Sequence, residues 1–271
     1  MDFYKDFETL KRAFAHFMDL VANPQCLFYC GDDPHLAAIA KRGVSYGHGK
    51  NCRLKVSHPM ASGWTQNFTV TFEGKIYSDM LLNLTGKHNV LNASAVFGLG
   101  LALGIPESDL REALATFGGA LRRCEKKGER GGVLFLDDYG HHPTEIKTTL
   151  AGIRASIGHR RLIVAYQPHR YTRSQICLGK YSGTFDDPDL LIVTGIYAAR
   201  ETPIAGVTSQ IVADDIRQST KSPSHFVERD QLARFVADRL EPGDVVVTVG
   251  AGDITKLSAE IMEAPAYGPV R

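Results

Sequence analysis

The chain has 271 residues, 44% of them hydrophobic, with 31 Lys+Arg against 30 Asp+Glu. That length and apolar content can build one large core or two ordinary ones, and the nearly cancelled charge excludes a global field that would hold a nucleic acid or an anionic membrane. The five cysteines (Cys26, Cys30, Cys52, Cys124, Cys177) are odd in number, scattered and without a CxxC. This argues against a disulfide framework or zinc ribbon, and Cys26 and Cys30 read as small buried thiols rather than, with His35, a metal cluster.

The N-terminus, "MDFYKDFETL", is acidic and lacks an apolar signal core. No apolar run approaches the roughly 20 residues of a membrane span, so a soluble, cytoplasmic chain is expected. Phe7, Leu10, Phe14, Phe17, Met18 and Val21 then form one stripe of an amphipathic helix, ended by "NPQ", that is expected to cover a sheet. "CLFYC" reads as a buried strand, "DDPHLAAIAKRG" as a loop and short helix, and "FTVTFEGKIYS" as a hairpin turning at Glu73-Gly74. A helix is predicted from about Asn89 to Leu103. A second begins near Pro106, buries Leu110, Leu114 and Phe117, and stops at Gly118.

"GGALRRCEKKGERGG" reads as a charged, glycine-rich linker. Beyond it the apolar runs "VLFLDD", "RLIVAY", "DLLIVTG" and "DVVVTVG", separated by helical segments, predict a parallel, doubly wound α/β domain. Ile146, Leu150, Ile153 and Ile157 mark one crossover helix after Pro143-Thr144.

Three polar stretches follow predicted strands of this domain, at the edge where open α/β sheets bind ligands. "DDYGHHPTE" (137–145) crowds carboxylates, imidazoles and a phenol into one turn. Helix capping by Thr144 or Asp138 would account for one or two of them. "QPHRYTR" (167–173) offers His169, Arg170 and Arg173, whose guanidinium forks suit a carboxylate or phosphate; a mobile solvated loop is the plain alternative. "GAGDITK" (250–256) resembles half a dinucleotide turn, but Thr255 replaces the third glycine, so a tight turn with amides available to an anion is expected. A fourth stretch, "GKHNVLNASA" (86–95), clusters His88, Asn89 and Asn92 at a helix start. Side-chain amides there suit the mixed donor and acceptor edge of an adenine, or equally capping and core packing.

Taken in order, "GKHNVLNA", "GGALRRCEKKGE", "DDYGHHPTEI", "QPHRYTR", "IYAARETP" and "GAGDI" resemble the Mur ligases over essentially the whole chain. Within them the resemblance is to the branch that joins L-alanine to UDP-N-acetylmuramate. It implies an α/β chain: an incomplete central ATPase-type domain over residues 1–120, followed by a Rossmann-like, doubly wound C-terminal domain over 121–271. The two would close over the reactants.

By that resemblance His88, Asn89 and Asn92 would lie near the adenine of ATP, Arg123 near its phosphates and Asp138 near the ribose. Tyr139, His141, His169, Arg170 and Arg173 would line the amino-acid side, with Arg170 or Arg173 on the alanine carboxylate. No covalent enzyme nucleophile is implied.

The sequence departs from the family in two places. Cys124 stands where the RRF pattern has phenylalanine, and none of the Gly-Lys pairs at 49–50, 74–75, 86–87 and 179–180 forms a P-loop. The chain is therefore expected to be the C-terminal part of a ligase. The UDP-binding domain, the P-loop and most Mg2+ ligands would lie upstream, with no metal site in this chain. It would be inactive alone; the complete enzyme would take UDP-N-acetylmuramate and L-alanine, and a separately encoded N-terminal half is a candidate partner. The alternatives are a murein tripeptide recycling ligase, a non-catalytic remnant or binding module, and, more remotely, a dehydrogenase-like nucleotide domain.

Overall fold

The computed structural model describes residues 4–263; the outermost residues of the two expected domains, 1–3 and 264–271, lie outside the described residues. The chain divides into two compact units, one ending at Gly118 and the other beginning at Gly119.

In the first unit, α1 (Phe7–Leu20) starts at Asp6, whose carboxylate accepts a hydrogen bond from the Thr9 amide at 2.6 Å. Contrary to the sequence expectation, α1 does not cover a sheet. Its partner is α2 (Pro34–Ile39), with the Phe7 ring edge-on to His35 at 4.7 Å. A six-residue helix is too short to cover the whole stripe. Only Met18 of α1 is buried, while Phe14, Phe17 and Leu20 stay exposed.

The sheet of this unit runs in the order β1 (Phe28–Cys30), β2 (Val44–Gly47), β3 (Leu54–Ser62), β4 (Thr65–Phe72), β5 (Lys75–Leu82). β1, β2 and β3 pair in parallel; β3, β4 and β5 pair antiparallel. The β4–β5 turn is the expected Glu73-Gly74 pair, both with positive φ (49° and 76°), which matches the strand twist of a two-residue hairpin.

α3 (Lys87–Ala102) packs on the sheet, with Val90, Ala93 and Phe97 in one core with Leu54, Val70 and Met80. Glycines make the close approach possible: a Cβ at Gly98 would stand 2.3 Å from Leu54, and one at Gly100 2.4 Å from Leu110 on α4 (Glu107–Thr116). Leu110 and Leu114 are buried as the spacing predicts, but Phe117 is 51% exposed. The helix ends at Thr116, and the extended backbone of Phe117 turns its ring off the buried face.

The second unit has a six-stranded sheet in the order β10 (Ser224–Phe226), β9 (Leu190–Val193), β8 (Leu162–Tyr166), β11 (Val245–Val249), β7 (Val133–Asp138), β6 (Glu125–Arg130). All neighbours are parallel except β6 and β7. Six of the fifteen residues read as a linker thus form strand β6. Its side chains are exposed or half-buried because it is the antiparallel edge, where charge protects against further pairing.

Alternate residues of the inner strands (Val133, Phe135, Ile163, Ala165, Val246) form one core with Leu232 and Val236 of α8 (Leu232–Ala237) and Leu257 and Ile261 of α9 (Leu257–Glu263). The intervening Leu134, Leu136, Val164 and Val247 are equally buried, so both sheet faces are covered. The crossover helix α5 (Pro143–Ile157) buries Ile146, Leu150, Ile153 and Ile157 as predicted. The remaining helices are α6 (Tyr171–Cys177) and α7 (Ser209–Ser219).

Candidate active site

β11 lies between β7 and β8, and its last residue, Val249, is in register with Asp138 on one side and Tyr166 on the other. The stretches that begin at residues 139, 167 and 250 therefore leave the sheet side by side. Topology, not sequence proximity, collects the three polar loops.

In the first loop, Asp138 is 2% exposed and accepts hydrogen bonds from the amides of Cys124 (2.9 Å) and Gly140 (2.8 Å). Burial pushes its carboxyl above the ordinary value, opposed by those two amides and the Arg123 cation. The helix cap is neither Asp138 nor Thr144, the alternatives that the sequence offered. It is His142, whose Nδ1 accepts from the Thr144 amide at 3.3 Å while Glu145 accepts from the His142 amide at 3.4 Å.

Tyr139 takes no part in this cap, and His141 joins it through its amide, which donates to Glu145 at 3.3 Å. Their rings meet edge-to-face at 5.4 Å, and His141 Nδ1 sits 3.0 Å from the Tyr139 carbonyl oxygen. Arg122 and Arg123 stand over the Tyr139 ring at 5.0 and 5.7 Å. Burial pushes the Cys124 thiol up to about 12, which makes it inert as a nucleophile at neutral pH.

In the second loop, Arg170 is the N-cap residue of α6, with φ 64°, and Arg173 lies in its first turn. Arg173 Nη1 lies 3.1 Å from His169 Nδ1. A guanidinium only donates, so Nδ1 accepts and the imidazole proton sits on Nε2. The His169 ring stacks on Tyr197 (5.8 Å, 11°) and approaches His141 at 6.3 Å. Burial lowers the His169 pKa to about 4, helped by the Arg173 and Arg170 cations, so the ring is neutral at physiological pH.

The third loop is less available to an anion than its sequence suggests. The Gly250 amide donates to the Asp138 carbonyl (3.0 Å) and the Ile254 amide to Gln167 Oε1 (3.1 Å). Its glycines serve close packing: a Cβ at Gly250 would stand 2.7 Å from the Gln167 carbonyl oxygen. Gln167 also donates to Asp253 at 2.8 Å, tying the second loop to the third.

The structure thus brings Asp138, Tyr139, His141, His169, Arg170 and Arg173 to one sheet edge, with Arg123 beside Tyr139. It adds two residues that sequence reasoning did not single out. Arg122 donates to Asp137 (2.9 Å) and to the carbonyls of Gly250 (2.6 Å) and Gly252 (3.4 Å). Tyr197, in the quoted "IYAARETP", is the stacking partner of His169. A paired "RR" was the available signal for the first; nothing local marked the second.

His88, Asn89 and Asn92 belong to the first unit. Asn89 and Asn92 line a cavity of about 350 Å³ whose walls include Leu84, Val96, Leu114 and Phe117. An apolar slot with two amides suits a flat heterocycle. Asn89 also donates to the Thr85 carbonyl at 2.7 Å, and the His88 ring lies over Gly86, where a Cβ would stand 2.6 Å away. Among the described residues, no group of three or more His, Cys, Asp or Glu side chains is placed to hold a metal ion.

Acidification is expected to weaken the second unit through His169. Its folded pKa, about 4, lies below the ordinary 6.5, so only the unfolded chain takes up a proton there between these values. Stability present above pH 6.5 is lost as the pH falls through that window, by about 1 kcal/mol after allowing for solvent screening. Thermal melts of wild type and His169→Gln should diverge from pH 7.5 to 4.5; parallel curves would count against this. Asp138, with its raised pKa, acts in the opposite sense, so the difference between the two proteins is the informative quantity.

Comparison with known proteins fits this architecture. The Mur ligase middle domain matches residues 1–100, and the glutamate ligase domain of Mur ligases matches residues 122–252. The chain belongs to the Mur ligase family. Its curated relatives include UDP-N-acetylmuramate–L-alanine ligases from Protochlamydia amoebophila (42% identical, over 94% of this chain and 56% of the relative) and Anaeromyxobacter sp. (39%, over 97% and 58%). The chain therefore spans little more than half the length of these relatives.

Among solved structures, the UDP-N-acetylmuramate-alanine ligase of Thermotoga maritima is 25% identical with a TM-score of 0.75, covering 96% of this chain and 55% of that one. The MurF ligase of Thermotoga maritima, solved in complex with ADP, has the same fold (14% identical, TM-score 0.73, covering 96% and 58%).

Proposed function

We propose that the chain is part of an ATP-dependent ligase that joins L-alanine to UDP-N-acetylmuramate in peptidoglycan precursor synthesis. The muramoyl carboxylate attacks the γ-phosphorus of ATP and releases ADP. The amine of alanine then attacks the acyl carbon, expels phosphate and forms the amide after losing a proton. The protein supplies position and charge rather than a covalent nucleophile.

The observation that carries this reading is the convergence of Tyr139, His141, His169, Arg170 and Arg173 at one sheet edge, in a chain about 40% identical to named L-alanine ligases. Two guanidinium groups beside a neutral imidazole suit a small amino acid's carboxylate. Asn89 and Asn92, with His88, would take the adenine in the apolar cavity, Arg123 the phosphates, and Asp138 the ribose. Magnesium would neutralise charge on the transferring phosphoryl group, with most of its ligands in the part of the longer relatives that this chain does not cover.

Because the sequence has no GxxxxGK[ST], the test supplies one. The chain is mixed with the P-loop-bearing upstream segment of its own genome or of an L-alanine ligase relative, plus ATP, magnesium and UDP-N-acetylmuramate. Phosphate release that depends on L-alanine is expected. Preference for murein tripeptide would assign the recycling reaction instead, and silence with both would favour a binding module. In the active mixture His141→Ala should raise the apparent KM for alanine about tenfold and spare ATP, whereas Asp138→Asn should do the reverse. Asn is chosen because it keeps the size of the side chain and an acceptor for one of the two amides, which Asp138 receives on separate oxygens, Cys124 on Oδ2 and Gly140 on Oδ1.

A further inference from the structure

The pairing of β8 with β9 does not stop at the strand ends. His169 and Tyr197 form an isolated parallel bridge beyond them. The Tyr197 amide donates to the Pro168 carbonyl and the Arg170 amide to the Tyr197 carbonyl, both at 2.8 Å. Two facing residues of such a bridge present their side chains on the same side, and here the rings lie flat against each other at 5.8 Å.

Tyr197 also reaches the third loop. A Cβ at Gly252 would stand 2.6 Å from Tyr197 Cγ and 2.8 Å from its Cβ, so only glycine lets the ring settle there. Downstream, Glu201 accepts from the Thr172 amide (3.0 Å) and hydroxyl (2.7 Å), fastening the same segment to the start of α6. The ring remains 38% exposed, so it is not simply core.

We propose that Tyr197 is a positioning residue: its ring clamps the His169 imidazole face-on, in one orientation and one tautomer, with Nδ1 on Arg173 and Nε2–H presented to the ligand. The inference rests on the reading of this loop as the amino-acid site, and it adds what keeps the imidazole in place. Groups that face His169 are Arg173, Arg170, His141 and Glu201; three of them disfavour its cationic form and Glu201 favours it. Removing the stacked ring opens the imidazole to water and relaxes both constraints.

The test uses the 271-residue chain carrying Tyr197→Leu or Tyr197→Phe. Long-range proton–nitrogen NMR spectra report the tautomer and titration of His169, identified by the signals missing in His169→Gln. Wild type and Tyr197→Phe should show a single Nε2–H tautomer and a depressed midpoint. Tyr197→Leu should show mixed tautomers and a midpoint moved toward 6.5, at unchanged far-UV circular dichroism. An unchanged signature in Tyr197→Leu overturns the proposal, and so does a Tyr197→Phe variant that behaves like Tyr197→Leu, because stacking would then not be the cause.

In the reconstituted assay Tyr197→Leu should raise KM for alanine about tenfold with little change in kcat. An altered His169 signature with unchanged alanine KM would leave the clamp standing and remove the amino-acid assignment of the loop.

Discussion

Arg122→Ala is expected to lower the stability of the second unit by about 3–5 kcal/mol, because it leaves a buried carboxylate without its cation. Asp137 is fully buried within the sheet. It receives Arg122 Nε at 2.9 Å and the hydroxyls of Thr248 (2.6 Å) and Thr255 (2.8 Å). The same guanidinium satisfies the Gly250 carbonyl, so its loss unpairs groups on two loops. Asp137→Ala should also destabilise, and the double variant should lose less than the sum of the two. The measurement is denaturant unfolding followed by far-UV circular dichroism. Trp64, the only tryptophan, lies in the β3–β4 turn of the first unit, so its fluorescence reports that unit and should keep its midpoint. A loss below about 1 kcal/mol would mean that the threonines and water satisfy Asp137 unaided.

The second large effect is functional. Arg173→Ala is expected to raise KM for L-alanine about 100-fold in the reconstituted ligase, the scale of losing one charge-assisted contact in a partly desolvated site. The KM for ATP should stay within about threefold. Arg173→Lys should recover only part of the loss, since an ammonium keeps the charge but not the planar fork. Because the Arg173 cation helps to hold the His169 pKa down, Arg173→Ala should also raise it, which NMR titration checks without any assay. Equal increases for alanine and ATP would remove Arg173 from the amino-acid side.

Sequence periodicity recovered what was buried on both faces. The stretches "VLFL" of β7 and "VVV" of β11 have no polar interruption because every side chain in the two strands is covered. It failed where a strand meets water. β6 carries Glu125, Lys126, Lys127, Glu129 and Arg130, and so reads as a linker. β3 was unread because its second half is exposed and interrupted at His58, where φ is 52° and the register with β4 shifts.

Site chemistry was legible as residue type but not as partnership. "RR" does not say that both guanidinium groups stand over Tyr139 and that Arg122 alone also reaches Asp137. Those directions follow from the positive φ of Arg122 and Cys124 (58° and 52°) and from contacts 128 residues away. Tyr197 lies about 30 residues after its stacking partner, and only the β8–β9 register joins them.

The position of β11 bears on how the second unit is made. The last strand among the described residues fills the middle of the sheet, between β7 and β8, which do not pair with each other. Until residues 245–249 have left the ribosome, the polypeptide holds two separate β pieces, β6–β7 and β8–β9–β10, each with an unpaired parallel edge of apolar residues. Such edges are sticky intermediates, and closing contacts over more than 100 residues is slow. The second unit is therefore completed by an insertion that joins the halves in one late step. A nonsense or frameshift mutation just before Val245 would release not a shortened domain but two open sheets, a substrate for chaperones and proteases.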